Sequence, residues 1–213
     1  MSAARERILS KVRAAVSDGR DDDWRVELDR RMKQPPDLIR PKLPADLLGR
    51  FSEKLQAGGG TLEQVGTKAE VAATITQFLE SNELPLKIRA APALRDTDWG
   101  DGMDVSYGST RGDDLVSATP AFCAVAETGS VVLLSGEASP TTLNFLPDVH
   151  VVVLARDQLV SHIEDVWVKL RALGEPPRTV NFITGPSKTA DVEQTLQIGA
   201  HGPRRLHVVL VNE

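Results

Sequence analysis

The segment that most limits what this chain can fold into is Val149–Ala155, an apolar strand without polar alternation. Strands of that kind are buried on both faces, which is the pattern of a parallel sheet. The segments after it alternate in type. Leu159, Ile163, Val166, Trp167 and Leu170 recur at helical spacing, and Gly174 with Pro176-Pro177 ends that helix. Thr179–Thr184 reads as a strand, Asp191–Ile198 as a helix and Leu206–Val211 as a final strand. Upstream, Thr61–Val65 and Leu86–Ala91 read as strands around a helix that carries Val71, Ile75, Phe78 and Leu79. Thr67-Lys68-Ala69-Glu70 has capping-box spacing at its start. Ala121–Ala126 and Ser130–Leu134 form a hairpin through Glu127-Thr128-Gly129. Leu94–Asp114 is mostly loop, with a short strand near Val105. The expected fold is therefore α/β: a mainly parallel sheet covered by helices on both faces, with one antiparallel element.

The N-terminal part is different. Ala3–Val16 reads as a short amphipathic helix through Ile8, Leu9, Val12 and Val16. Ser17–Pro44 holds Pro35-Pro36, Pro41 and Pro44 with little apolar period, and reads as irregular. Leu47, Leu48, Phe51 and Leu55 mark a helix with Pro44 suited to its first turn and Gly58-Gly59-Gly60 at its end. We divide the chain into an N-terminal helix and arm, residues 1–44, and an α/β domain, residues 45–213.

Charge and cysteine content narrow the function. The net charge is −5, and residues 61–213 hold 12 basic against 20 acidic side chains. An acidic domain makes a poor nucleic-acid surface. The lone Cys123 can make no internal disulfide and cannot by itself hold an iron–sulfur cluster or a four-thiolate zinc site. One thiol, no apolar signal-peptide core and no apolar run of membrane-spanning length point to the cytoplasm.

Three segments carry candidate chemistry. In Gly185-Pro186-Ser187-Lys188-Thr189-Ala190-Asp191-Val192-Glu193, a strand feeds a small-residue bend and then an expected helix start. Helix starts attract anions, and Ser187, Lys188 and Thr189 add hydroxyls and a cation. The same residues are also ordinary helix caps, and the spacing is not that of a P-loop. In Gly199-Ala200-His201-Gly202-Pro203, His201 could act as a general acid or base, or be a plain loop residue. His207 interrupts the strand that follows, as a pocket residue or a core histidine. In Glu127-Thr128-Gly129-Ser130, the carboxylate could be a base or nucleophile, or cap a backbone N–H. Asp96, Asp98, Asp101 and Asp104 do not make a calcium loop, since Asp101 stands where glycine is needed and Tyr107 where glutamate is. Cys123, inside an apolar strand, reads as an inert thiol. His162 reads as helix surface, and His150 has no partner implied.

Taken in order, Ala126–Ser130, Pro147-Asp148-Val149-His150, Thr184–Glu193, Gly199–Pro203 and Leu206–Val209 resemble the LUD-domain family. The resemblance runs from about residue 45 to the end, and the N-terminal helix fits the lactate-utilisation C proteins of that family. It implies a fold like the ribose-phosphate isomerase and coenzyme A transferase group. It also implies a role in oxidation of L-lactate beside cysteine-rich iron–sulfur partners, with no cofactor in this chain and the clusters in those partners. Glu127 and His201 are then the candidate catalytic residues. Thr128, Gly129, Ser130, Gly185, Pro186, Ser187, Lys188, Thr189, Asp191, Glu193, Gly202 and His207 are candidate contacts for a small carboxylate or phosphate, with no metal. Whether the chain catalyses alone stays open. The alternative is an autonomous enzyme acting on an anionic small molecule. In open parallel sheets, ligands sit beyond the carboxyl ends of the strands, and the Ser187 bend directly follows a strand.

Overall fold

The computed structural model describes residues 3–17, 24–33, 39–189 and 197–213. The chain forms two compact units, Met1–Pro41 and Lys42–Glu213. The first contains α1 (Ala3–Ser17) and α2 (Trp24–Lys33). The α2 helix lies where an irregular connection was expected. It has little apolar period, and local charge pairs hold it instead. Glu27 accepts from Arg30 at 2.7 Å and from Arg31 at 2.8 Å, and Asp29 accepts from Lys33 at 3.0 Å. These are the i+3 and i+4 neighbours of a helix surface. The Arg30 guanidinium first, then that of Arg31, holds the Glu27 carboxyl down at about 2.

The second unit begins with α3 (Leu47–Ala57), β1 (Thr61–Val65), α4 (Val71–Ser81) and β2 (Lys87–Ala90). It continues through β3 (Asp104–Tyr107), β4 (Val116–Pro120), β5 (Cys123–Val125), β6 (Ser130–Leu134), β7 (Val149–Ala155) and β8 (Leu159–Val160). Then come α5 (Ile163–Arg171), β9 (Val180–Ile183), β10 (Lys188–Thr189), β11 (Gln197–Ile198) and β12 (Arg205–Val211). Asp46 caps α3, accepting from the Gly49 N–H at 2.9 Å, so Pro44 stands outside the first turn where it was expected. Half of the expected Thr67 box forms: the Glu70 carboxylate accepts from the Thr67 amide at 3.1 Å and from its hydroxyl at 2.9 Å, while the Glu70 amide donates to the Thr67 carbonyl at 3.2 Å and not to the hydroxyl. It opens a short 3-10 turn that runs into α4.

Six strands form one wholly parallel sheet in the order β1-β12-β7-β4-β2-β3. Helices flank it. Alternate residues of its central strands feed two cores. Val149, Val151, Val209 and Val211 face α4, where Val71, Ile75 and Leu79 are buried. Val152, Leu154, Val208 and Leu210 face Phe51 and Leu55 of α3. On this second side the cover is not helical throughout. The hairpin strands belong to a separate sheet, β8-β5-β6-β9, whose Ala124, Val131 and Leu133 join the α3 core. Its far side packs Cys123, Val125 and Val132 against Val166 and Leu170 of α5.

Four local expectations need correction. The strand β4, built of small residues and ended by Pro120, went unread although it sits at the centre of the parallel sheet. Leu159 is in β8 and not in the following helix, because it pairs with Ala124. His150, for which no partner was expected, is fully buried inside β7 with its Nε2 2.8 Å from Thr119 Oγ1. Gln197 and Ile198 pair with Thr189 and Lys188 as antiparallel strands, so Ser187 leads into a strand where a helix start was expected. The rest of that expected helix lies outside the described residues.

Candidate functional site

The carboxyl end of α3 is the hub around which the motif segments gather. Gly129, at φ +72°, lies so close to α3 that a β-carbon would collide with the backbone of Lys54 and Leu55. Gly185, at φ +96°, lies equally close to the Gly58 carbonyl. Both positions demand glycine for conformation and for space. The Lys188 ammonium donates to the Gly58 carbonyl at 2.7 Å, where the helix dipole favours a cation. Hydroxyls link the two turns. Thr128 Oγ1 lies 2.7 Å from Ser130 Oγ, which lies 2.6 Å from Thr184 Oγ1.

The third motif closes on the same bend. The Ser187 amide donates to the Pro203 carbonyl at 2.8 Å, and the Gly199 amide donates to Ser187 O at 2.9 Å. The His201 amide donates to Ser187 Oγ at 3.3 Å. Gly202 stands beside Ser187, where a β-carbon would come within 3.4 Å of the serine Cβ. Pro186 packs near Gly59, and Thr189 sits in β10. The side chains of Lys188 and His201 are exposed. Asp191 and Glu193 lie outside the described residues. Thus three motifs far apart in sequence share one contiguous patch, while the Ser187 amide is already taken by the protein.

The patch is not beyond the carboxyl ends of the parallel strands. Gly58–Gly60 lead into β1, Pro203 leads into β12, and the Asp148 carbonyl, just before β7, accepts from the Arg204 and Arg205 amides. These are amino ends. The expectation failed because β9, which precedes the Ser187 bend, belongs to the smaller sheet.

Two candidates fall outside the patch. Glu127 Oε2 accepts from the Ile163 amide at 3.4 Å, at the amino end of α5. The carboxylate thus serves as a cap in this structure. His207 is a core residue of β12. Its Nδ1 lies 2.8 Å from Thr61 Oγ1, and the Phe78 ring stacks on it at 3.9 Å. Burial pushes its pKa down to about 4, so the ring is neutral and the Glu63 carboxylate 3.9 Å away makes no ion pair with it. Burial also pushes the Cys123 thiol up to about 11, which makes it inert. Among the described residues no group of three or more His, Cys, Asp or Glu side chains could hold a metal ion. No described helix is long and apolar enough to cross a membrane.

Sequence reading missed a buried polar group at the same sheet end. Ser117, Thr119, Asn144 and His150 are all fully buried. His150 Nε2 lies 2.8 Å from Thr119 Oγ1, and Ser117 Oγ donates to the Leu143 carbonyl at 2.6 Å. Burial lowers the His150 pKa to about 3. A histidine inside an otherwise apolar strand was the available signal.

The LUD domain family matches residues 116–211, which include β4, the hairpin, β7 and β12. A protein called lactate utilization protein C from Geobacillus thermodenitrificans (strain NG80-2) is 32% identical over 173 residues, covering 79% of this chain and 70% of that protein. Another of that name, from Geobacillus sp. (strain WCH70), is 34% identical over 93 residues, 42% of this chain and 39% of that protein. The aligned part thus spans well under two thirds of some of these relatives. A crystal structure of a DUF162 family protein from Deinococcus radiodurans shares the fold, with TM-score 0.62 and 23% identity, covering 81% of this chain and 100% of that one. The parallel sheet, the gathered motifs and the long alignment agree: the chain belongs to the LUD-domain family, among the relatives of lactate utilization protein C.

Proposed function

We propose that this chain serves L-lactate oxidation in the cytoplasm as a component without iron–sulfur clusters. The observation that carries the reading is the 32% identity over 173 residues with a lactate utilization protein C. In this reading the clusters belong to cysteine-rich partner subunits. The chain's one cysteine, buried in β5, supports that division. The amino-end patch is the part of the molecule that meets a small carboxylate or a partner. Its exposed Lys188 and His201 give the patch its polar, partly cationic character.

Affinity purification of the full chain from lactate-grown cells tests the reading. Cysteine-rich iron–sulfur proteins are expected to co-purify, and deletion of the gene is expected to abolish growth on L-lactate. Undiminished growth on L-lactate after deletion overturns it.

A further inference from the structure

The smaller sheet ends on β9, which has β6 on one side and, among the described residues, no strand on the other. The Ser135 amide donates to the Thr179 carbonyl at 3.1 Å, and this fixes the phase of the β6–β9 ladder. Antiparallel strands turn alternate residues toward the same neighbour. Asn181 and Ile183 therefore bond to β6, while Val180 and Phe182 turn their N–H and C=O groups outward. Among the described residues no backbone group bonds to that outer edge. Both faces of β9 are covered, since Val180 and Phe182 pack on the α5 side and Ile183 on the α3 side. An open edge pairs with another strand unless something guards it. The other edges are guarded or short: β1 carries Glu63, β3 carries Asp104, and β8 is two residues long. β9 reads Val-Asn-Phe-Ile, with no charge, proline or glycine.

We propose that β9 is the edge on which a second copy of this chain pairs, strand against antiparallel strand, about a two-fold axis at Asn181. The edge is complementary to itself. One register uses both outward residues of each strand: Val180 of either copy faces Phe182 of the other, and four backbone hydrogen bonds form. Such an interface closes and leaves neither β9 edge open. Charge is compatible with it. Arg178, the nearest charge along the chain, falls opposite Thr184 of the other copy, about 20 Å from its mate. Apolar surface lies beside the edge as well. Trp167, Leu170, Pro176, Pro177 and Val180 line a groove of about 310 Å³. Trp167 is 44% exposed although its ring packs on Phe182. The register puts Phe182 of the second copy across from Val180, at the margin of that groove. Size sets the strength. A standard interface uses about 20–30 residues a side, whereas the strand and groove together supply ten. The dimer is therefore weak, half-formed at a concentration on the order of 10 μM.

Sedimentation velocity of the full purified chain from about 1 to about 200 μM tests the proposal, with a passage from monomer to dimer expected. Asn181→Cys tests the axis. Antiparallel neighbours that exchange no hydrogen bond have Cα atoms about 4.5 Å apart, within reach of a disulfide. Mild oxidation is expected to join two copies through that cysteine. Ile183→Cys, which falls opposite Thr179, is expected to stay unjoined, and the native Cys123 is buried and does not compete. Val180→Pro removes an outward N–H that the single chain does not use. It is expected to weaken the dimer about tenfold or more and to leave the far-UV spectrum of the dilute chain unchanged. A monomer at every concentration, assembly beyond the dimer, equal joining at 181 and 183, or a dimer unmoved by Val180→Pro overturns the proposal.

Discussion

Gly129 shows how one residue can fix the relation between two elements. Its φ of +72° suits glycine, and the space a side chain needs is filled by the α3 backbone. Replacing it with alanine adds a strained conformation to a collision with atoms that cannot rotate away. We expect Gly129→Ala to lower stability by about 2–4 kcal/mol, read as a fall in the urea midpoint without a change in slope. An unchanged midpoint would mean that the hairpin and α3 are not packed this closely. Sequence reading identified the Thr-Gly turn but not this requirement. A turn signal is local, whereas the obstacle at Lys54 and Leu55 comes from 70 residues or more upstream. The same holds for Lys188. Its charge suggested anion binding, yet its ammonium rests on the carbonyl that ends α3.

At the scale of elements, local signals were read well and pairings poorly. The α3 and α4 faces were legible because Phe51 and Leu55, and Val71, Ile75 and Leu79, follow the helical period that burial requires. β7 was legible because a strand covered on both sides needs no polar positions. β4 was not: Ser117, Ala118 and Thr119 are small and semi-polar, and only the neighbours β7 and β2 make them a central strand. α2 was missed for the opposite reason, since its i+3 and i+4 ion pairs leave no apolar stripe to find. The start of α3 is a fair test of the local logic. Asp46 satisfies the Gly49 amide from an exposed position, so Asp46→Ala is expected to cost about 1 kcal/mol. Asp46→Asn, which keeps an accepting oxygen, is expected to restore most of that loss in the same thermal melt. Equal losses in the two variants would show that charge, and not the cap, matters there.

For the molecule as a whole, the two buried histidines set how stability responds to acid. His150 titrates at about 3 and His207 at about 4, both lowered by burial from the ordinary value of 6.5. The unfolded chain therefore binds two protons that the folded chain refuses between pH 6.5 and about 4. Stability must rise with pH in that window and fall as pH drops through it. Each histidine contributes a slope of about 1.4 kcal/mol per pH unit, so about 2 kcal/mol per histidine is lost between pH 7 and 5. Carboxylates stay largely ionised over that interval, which isolates the histidine contribution. Urea unfolding at pH 7, 6 and 5 measures it, and His207→Gln is expected to halve the slope while His150 supplies the remainder. A stability unchanged from pH 7 to 5 would mean that the rings reach solvent or an acidic partner in the folded chain. The neighbouring strands β7 and β12, which hold these histidines one register step apart and on opposite faces of the sheet, are also where the parallel sheet meets the gathered motifs. Their acid sensitivity therefore belongs to the part of the fold that supports the site.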